Sequence, residues 1–326
     1  MKFGIAALAF TLVATSALAG PRLPPSAQLA DDVLGGRVDL ERFDFAKAGY
    51  WKLSADERMT WRAPLDQKLF TPQVSSDSCD LVDRRRFKAV MWLQVLMQAK
   101  DEFAWRSTYR ALRRALELHD KDVKVAGDRI EPANDPLVTE LARRVARDQI
   151  IRDNAADARW TAELPPEARG SWFALKVGRM MEVDCDDTEW LAARLREIGW
   201  FDIPTYGKEA DGNAWLLVQH ADRSPEFQRE TLKLLQSLGP GKTNQKNIAF
   251  LEDRIAVAQG RPQRYGTQFK CAADGAISPH EIDDPEGVDA RRATVGLPPV
   301  AEYARLVEGT CPKMIAPTPP SPPPVG

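Results

Sequence analysis

The block Gln219-His220-Ala221-Asp222 sets an imidazole two positions from a carboxylate, at the end of the apolar run that begins at Ala214. Histidine is the side chain that exchanges protons near neutrality, and a carboxylate beside it fixes which ring nitrogen carries the proton. His220 is therefore a candidate general acid or base, with Asp222 as the group that orients it. Gln228, Asp253, Arg254, Gln263, Tyr265 and Gln268 follow at helix-length intervals and supply amides, fixed charges and a phenol of the kind that binds a polar substrate.

The same residues could instead satisfy one another. A histidine at a helix end can bond backbone carbonyls and pin the following turn. Asp253 and Arg254 leave one helix about 100° apart, which suits ion pairing across helix interfaces better than convergence on one ligand. Two function classes follow: an enzyme built on His220, or a packing network that doubles as a ligand- or partner-binding surface. The second is preferred, because buried amide, arginine and tyrosine groups must find partners in any compact fold.

The elements that must position these groups read as helices. Asn213 can cap a short apolar helix from Ala214 to about Ala221. Ser224-Pro225-Glu226 opens a second, on Phe227, Thr231, Leu234, Leu235 and Leu238, and Gly239-Pro240-Gly241 closes it. A third runs from about Asn244 to Gln259 and ends at Gly260 and Pro262. Upstream, apolar residues at helical spacing predict a helix from Leu81, broken or interrupted near residues 100–102, another over 137–151, and helix again over 165–200 with Gly199 as its cap. Strand signals are scarce, so the fold class is mainly α, with little or no sheet.

Residues 20–50 read as an extended arm, and 20–130 together as an N-terminal arm and helical extension. Residues 131–310 form a helical motif domain, and 311–326 a proline-rich tail expected to be extended or disordered. The first nineteen residues carry Lys2, an apolar run from Phe3 to Val13 and Ala17-Leu18-Ala19, the pattern of a secretory signal peptide. Export, to a periplasm or beyond, is the expected localisation.

One of the 45 basic residues lies in that segment, leaving 44 against 47 acidic, a net charge of −3. That balance points to neither nucleic acid nor an anionic membrane. No later stretch holds eighteen uninterrupted apolar residues, so no membrane anchor is expected. The nine tryptophans are read as core.

An exported chain with four cysteines is a candidate for two disulfides. Cys271 and Cys311 share the irregular C-terminal segment and are expected to pair, leaving Cys79 with Cys185. The alternative is a reactive thiol at Cys79 or Cys185, each just ahead of a helix start. No Cys/His spacing suits a metal, and no cofactor is expected. Gly241-Lys242-Thr243 lacks the first glycine and the strand of a phosphate loop, and His280-Glu281 lacks the second histidine of a zinc-protease helix.

At the block from Trp215 to Asp222, at Phe227-Gln228, at Leu251 with Asp253-Arg254, and at Gly260-x-Pro-Gln-x-Tyr-Gly-Thr-Gln268, the chain resembles an uncharacterised bacterial family of unknown function. Its members carry a Gln-His-Ala-Asp block and a closing Gln-x-Tyr-Gly-Thr-Gln block. The stretch from Asp283 to Arg292, followed by Val295-Gly296-Leu297, resembles that family's C-terminal part. The resemblance spans roughly 150–305 and departs at Ile248, where an aromatic often stands, and at Phe201, where a proline often does. It implies a domain and a set of residues, and no reaction.

Overall fold

The computed structural model describes residues 22–70, 79–272 and 275–309. The predicted signal segment, the proline-rich tail and Cys311 lie outside them. The described residues fall into two compact units, one from Met1–Val74 with Arg85–Arg110, the other from Ser75–Arg84 with Ala111–Gly326.

In the first unit the N-terminal residues are not an extended arm. Helix α1 (Ser26–Leu34) buries Leu29, Ala30 and Val33 on one side and packs on α2 (Ala55–Leu69). Three apolar residues within one and a half turns are enough to seat a short helix when a neighbour covers them. Helix α2 lies where no helix is expected from apolar spacing. It starts from a reciprocal cap, the Glu57 N–H donating to Ser54 Oγ at 3.2 Å and the Ser54 N–H to Glu57 Oε2 at 2.7 Å. Phe45 forms the aromatic centre of this unit, with edge contacts to Tyr50, Trp61 and Trp105.

Two successive helices, α3 (Leu81–Gln98) and α4 (Glu102–Asp128), occupy the stretch read as one helix or two. The second unit continues with α5 (Pro136–Arg152), α6 (Asn154–Trp160) and the long α7 (Arg169–Ile198), which ends on Gly199 at φ 79°. Helix α8 (Ile203–His220) is longer than the short helix expected from Asn213, which is not its cap. Asp202 caps it, its carboxylate accepting from the Thr205 N–H, with Pro204 in the first turn, and Gly207 at φ 88° interrupts the helix without ending it. Helices α9 (Pro225–Ser237) and α10 (Gln245–Ala258) follow. Asn244 caps α10, close to the start expected for it, whereas the Ser224 side chain makes no capping bond.

Helix α8 packs against α5, α7, α9 and α10. Leu141, Leu191, Trp200, Phe201, Ala214, Leu217, Val218, Leu235 and Leu251 form the core around it. The buried Trp200 indole donates to Asp211 at 2.8 Å, so its one polar atom is satisfied within the core. After α10 come two three-residue antiparallel strands, β1 (Phe269–Cys271) and β2 (Ile277–Pro279), and two short helices, α11 (Val288–Thr294) and α12 (Val300–Val307). The protein is thus mainly helical, as its sequence predicts.

Cys79 and Cys185 form a disulfide with their Cα atoms 5.4 Å apart, so neither is a free thiol. Cys271 is also disulfide-bonded. Among the described residues no helix is long and apolar enough to cross a membrane.

Candidate functional site

The polar residues nominated by spacing fall into three separate clusters, and the structure does not bring them to one point. The first lies where α5, α7 and α8 meet. His220, the last residue of α8, places Nδ1 2.9 Å from both carboxylate oxygens of Asp148 on α5. Asp148 is wholly buried, and Arg152, one turn on, donates to it at 2.6 Å. Arg152 also reaches Asp184 of α7 at 2.6 Å, and Arg144 reaches Asp187 at 2.8 Å while lying over the Trp190 ring. Burial pushes the Asp187 carboxyl up to about 7 against the pull of Arg144, with Asp148 and Asp184 adding to the rise. Asp184 is raised for the same first cause, opposed by Arg152. The His220 ring is one-fifth exposed, and its Nε2 has no hydrogen-bond partner among the described residues.

Asp222 therefore does not orient His220. Beyond the end of α8 it turns toward α10, where one Arg254 nitrogen donates to both its oxygens at 2.8 Å. Arg254 Nε donates to Gln219 Oε1 at 2.9 Å, and the buried Gln228 amide donates to the Val218 carbonyl at 3.0 Å and to Asp222 at 3.2 Å. This second cluster staples the turn after α8 to α9 and α10.

The third cluster fixes the loop after α10. Asp253, fully buried, accepts from the backbone N–H groups of Arg264 at 2.7 Å and of Tyr265 and Thr267 at 2.9 Å, and from the Thr267 hydroxyl at 2.9 Å. Its neighbour Arg254 faces the second cluster, as the 100° step between adjacent helical residues requires. Gln263, also fully buried, donates to the carbonyls of Gln268 and His280 at 3.0 Å and accepts from the Gln268 N–H at 2.8 Å. It thereby ties the loop to the segment after β2. Gln268 is held against Thr267, and Tyr265 is almost buried, its phenol pKa raised by burial. Gly266, at φ 65°, lets the chain pass Ile282, whose Cδ1 would lie 2.9 Å from an added Cβ. From below, buried Arg292 of α11 donates to the carbonyls of Tyr265, Gly266 and Pro298.

On its outer side this loop borders a cleft of about 520 Å³. Ile255 and Ala256 of α10, Leu232 of α9 and Pro262 give it an apolar strip, and Glu252, Arg261, Arg264, Asp283 and the Arg291–Asp284 pair give it charge. Asp284 holds φ at 47°, a left-handed conformation that aspartate tolerates better than most residues. A second, more open groove of about 650 Å³ runs beside Cys79, between α7 and the start of α9. Among the described residues no group of acidic, histidine or cysteine side chains is arranged to hold a metal.

Asp148, Arg152, Asp184 and Asp187 were not among the residues nominated from spacing, nor were Glu252 and Arg292. Asp148 did carry a signal. With Leu141, Val145 and Ile151 it continues one helical stripe, and an acid on an apolar stripe is a buried acid in need of a partner.

No curated protein and no solved structure matches the chain. Residues 135–314, more than half of the chain and the whole extent of the three clusters and the cleft, match a family of unknown function, DUF6624. The chain belongs to that family.

Proposed function

We propose that this is an exported binding protein whose motif residues form a packing network, and that the network holds a rigid cleft for a small polar ligand beside the loop 260–268. The observation that carries this reading is the division of labour within that loop. Asp253, Gln263 and Thr267 turn every polar contact inward, while Arg261 and Arg264 point into a cleft of about 520 Å³. That volume lies in the range of small-molecule sites, and a loop locked by buried partners presents its outer side chains at little entropic cost. Export is supported by the N-terminal segment and by the disulfide chemistry.

The test is a small-molecule screen by ¹⁵N–¹H NMR. Compounds that bind are expected to shift the amides of residues 260–268, and Arg264→Ala is expected to abolish those shifts while leaving the melting temperature unchanged. Hits that cluster only elsewhere on the surface overturn the reading.

One observation favours a second reading, an enzyme with His220 as general acid or base. A buried carboxylate holds Nδ1, leaving the opposite nitrogen open, which is the arrangement such a histidine needs. Its orienting group is then Asp148. Carbethoxylation of His220 by diethyl pyrocarbonate checks that the nitrogen is reachable, and a hydrolase substrate panel comparing the native protein with His220→Gln checks the activity.

A further inference from the structure

The charges around the cleft divide into those already engaged and those still available. Arg291 is committed, donating to the Asp284 carboxylate at 2.7 Å and to the Arg264 carbonyl at 3.0 Å. Asp284 is engaged by the same contact. Arg264 is more than half exposed, lies over the Tyr265 ring, and among the described residues has Glu252, at 3.9 Å, as its ion partner. Among the described residues Arg261 is held by the neutral amide of Gln259 alone, at 2.7 and 3.0 Å. Glu252 is partly buried, and burial raises its carboxyl above the usual range with Arg264 as the main compensation. The Asp283 carboxylate has no hydrogen-bond or ion partner among the described residues.

Two guanidinium groups and two carboxylates thus remain weakly satisfied around one apolar strip. A simple anion would meet Glu252 and Asp283, and a simple cation would meet Arg261 and Arg264. Each carries a repulsive contact in a partly desolvated site. A molecule carrying both charges, a few bonds apart, with an apolar flank, engages all of them. Resting on the cleft reading above, we infer that the ligand is a zwitterion of the amino-acid or dipeptide class. Its carboxylate lies on Arg261 and Arg264, its ammonium faces Glu252 and Asp283, and its apolar side chain rests on Ile255, Ala256, Leu232 and Pro262. Arginine forks match a carboxylate in two-point geometry, and the carboxylates beside them discriminate a free amino terminus from a blocked one.

The experiment titrates the full chain with L-leucyl-glycine, N-acetyl-leucyl-glycine and leucyl-glycine amide, by calorimetry and by amide shifts. Phosphate, spermidine and maltose are run alongside as anionic, cationic and neutral probes. Free leucyl-glycine is expected to bind with shifts at residues 252 and 260–268. Blocking either end is expected to weaken it at least tenfold, as is Arg264→Ala. Glu252→Gln is expected to weaken the free dipeptide more than the acetylated one. If phosphate, spermidine or maltose shifts those amides and the dipeptide does not, the cleft stands and the zwitterion assignment fails. Equal binding of free and blocked dipeptides overturns the assignment as well. If none of the six probes shifts those amides, both the assignment and the cleft reading fail.

Discussion

His220 Nδ1 lies 2.9 Å from both oxygens of Asp148, a residue 72 positions away on another helix. The contact gives a buried carboxylate a further donor beside Arg152 and the Gln149 amide, and it fixes the end of α8 against α5. A carboxylate withdrawn from water must be compensated, and removing it strands the His220 and Gln149 donors and leaves Arg152 with Asp184 alone. Asp148→Ala is expected to destabilise the fold by about 3–5 kcal/mol. His220→Ala, which leaves Arg152 in place, is expected to cost about 1–3 kcal/mol. Urea denaturation of both variants checks the order. A His220→Ala variant as stable as the parent would remove the histidine from the packing network and strengthen the acid–base reading.

Asp253 bears on the loop rather than on the helix bundle. Its carboxylate accepts from three backbone N–H groups and one hydroxyl in a fully buried position. Asp253→Ala strands those donors and is expected to cost more than about 3 kcal/mol. Hydrogen exchange distinguishes loss of the loop from loss of the domain. Protection of the Tyr265 and Thr267 amides is expected to collapse, while amides of α8 retain theirs. Uniform loss of protection across both would refute a loop-specific role.

How far the sequence revealed these relationships depends on how local each one is. The start of α10 near Asn244, the stop at Gly199 and the pairing of Cys79 with Cys185 rest on short-range chemistry or on elimination among few candidates, and each is legible. Helix α2 carries a local signal of its own, the Ser54–Glu57 cap, but Pro64 and a weak apolar face hide the rest of it. Asn213 looks like a cap because it precedes an apolar run, yet α8 is already under way from Asp202. The partner of His220 was not legible. Asp222 stands two residues away in sequence, but a residue just past a helix end points elsewhere than the last helical side chain. Only the packing of α8 on α5 brings Asp148 within reach.

The Asp187 carboxyl is raised to about 7 by burial, well above its ordinary 3.8. Between those values the folded protein holds a proton that the unfolded chain has released. The contribution of this group to stability therefore falls as pH rises from about 4 through 7, and its full penalty is present above 7. Asp184, also raised by burial, acts in the same direction. Asp187→Asn keeps an acceptor for Arg144 and removes the titration. It is expected to raise the melting temperature at pH 8 relative to the parent and to change it little at pH 5. Parallel melting curves for the two proteins across pH 5–8 would contradict this assignment.

The Cys79–Cys185 bridge links residues 106 apart in sequence, anchoring the segment before α3 on the buried face of α7. Closing a loop on the order of 100 residues removes chain entropy from the unfolded state worth about 4–5 kcal/mol. The double substitution Cys79→Ser with Cys185→Ser is expected to lose stability of at least that order, since it removes the bond and places a hydroxyl at the fully buried position 185. The Arg84 contacts to Asp186 and Glu189 join the same segment to α7, but both acids are largely exposed and the pairs cannot substitute for the bridge. The folded serine variant should retain the helical circular dichroism of the parent, with its urea midpoint shifted down and its slope unchanged or slightly larger, because the unfolded chain expands more freely. A midpoint equal to that of the parent would show that the bridge confers no net stability.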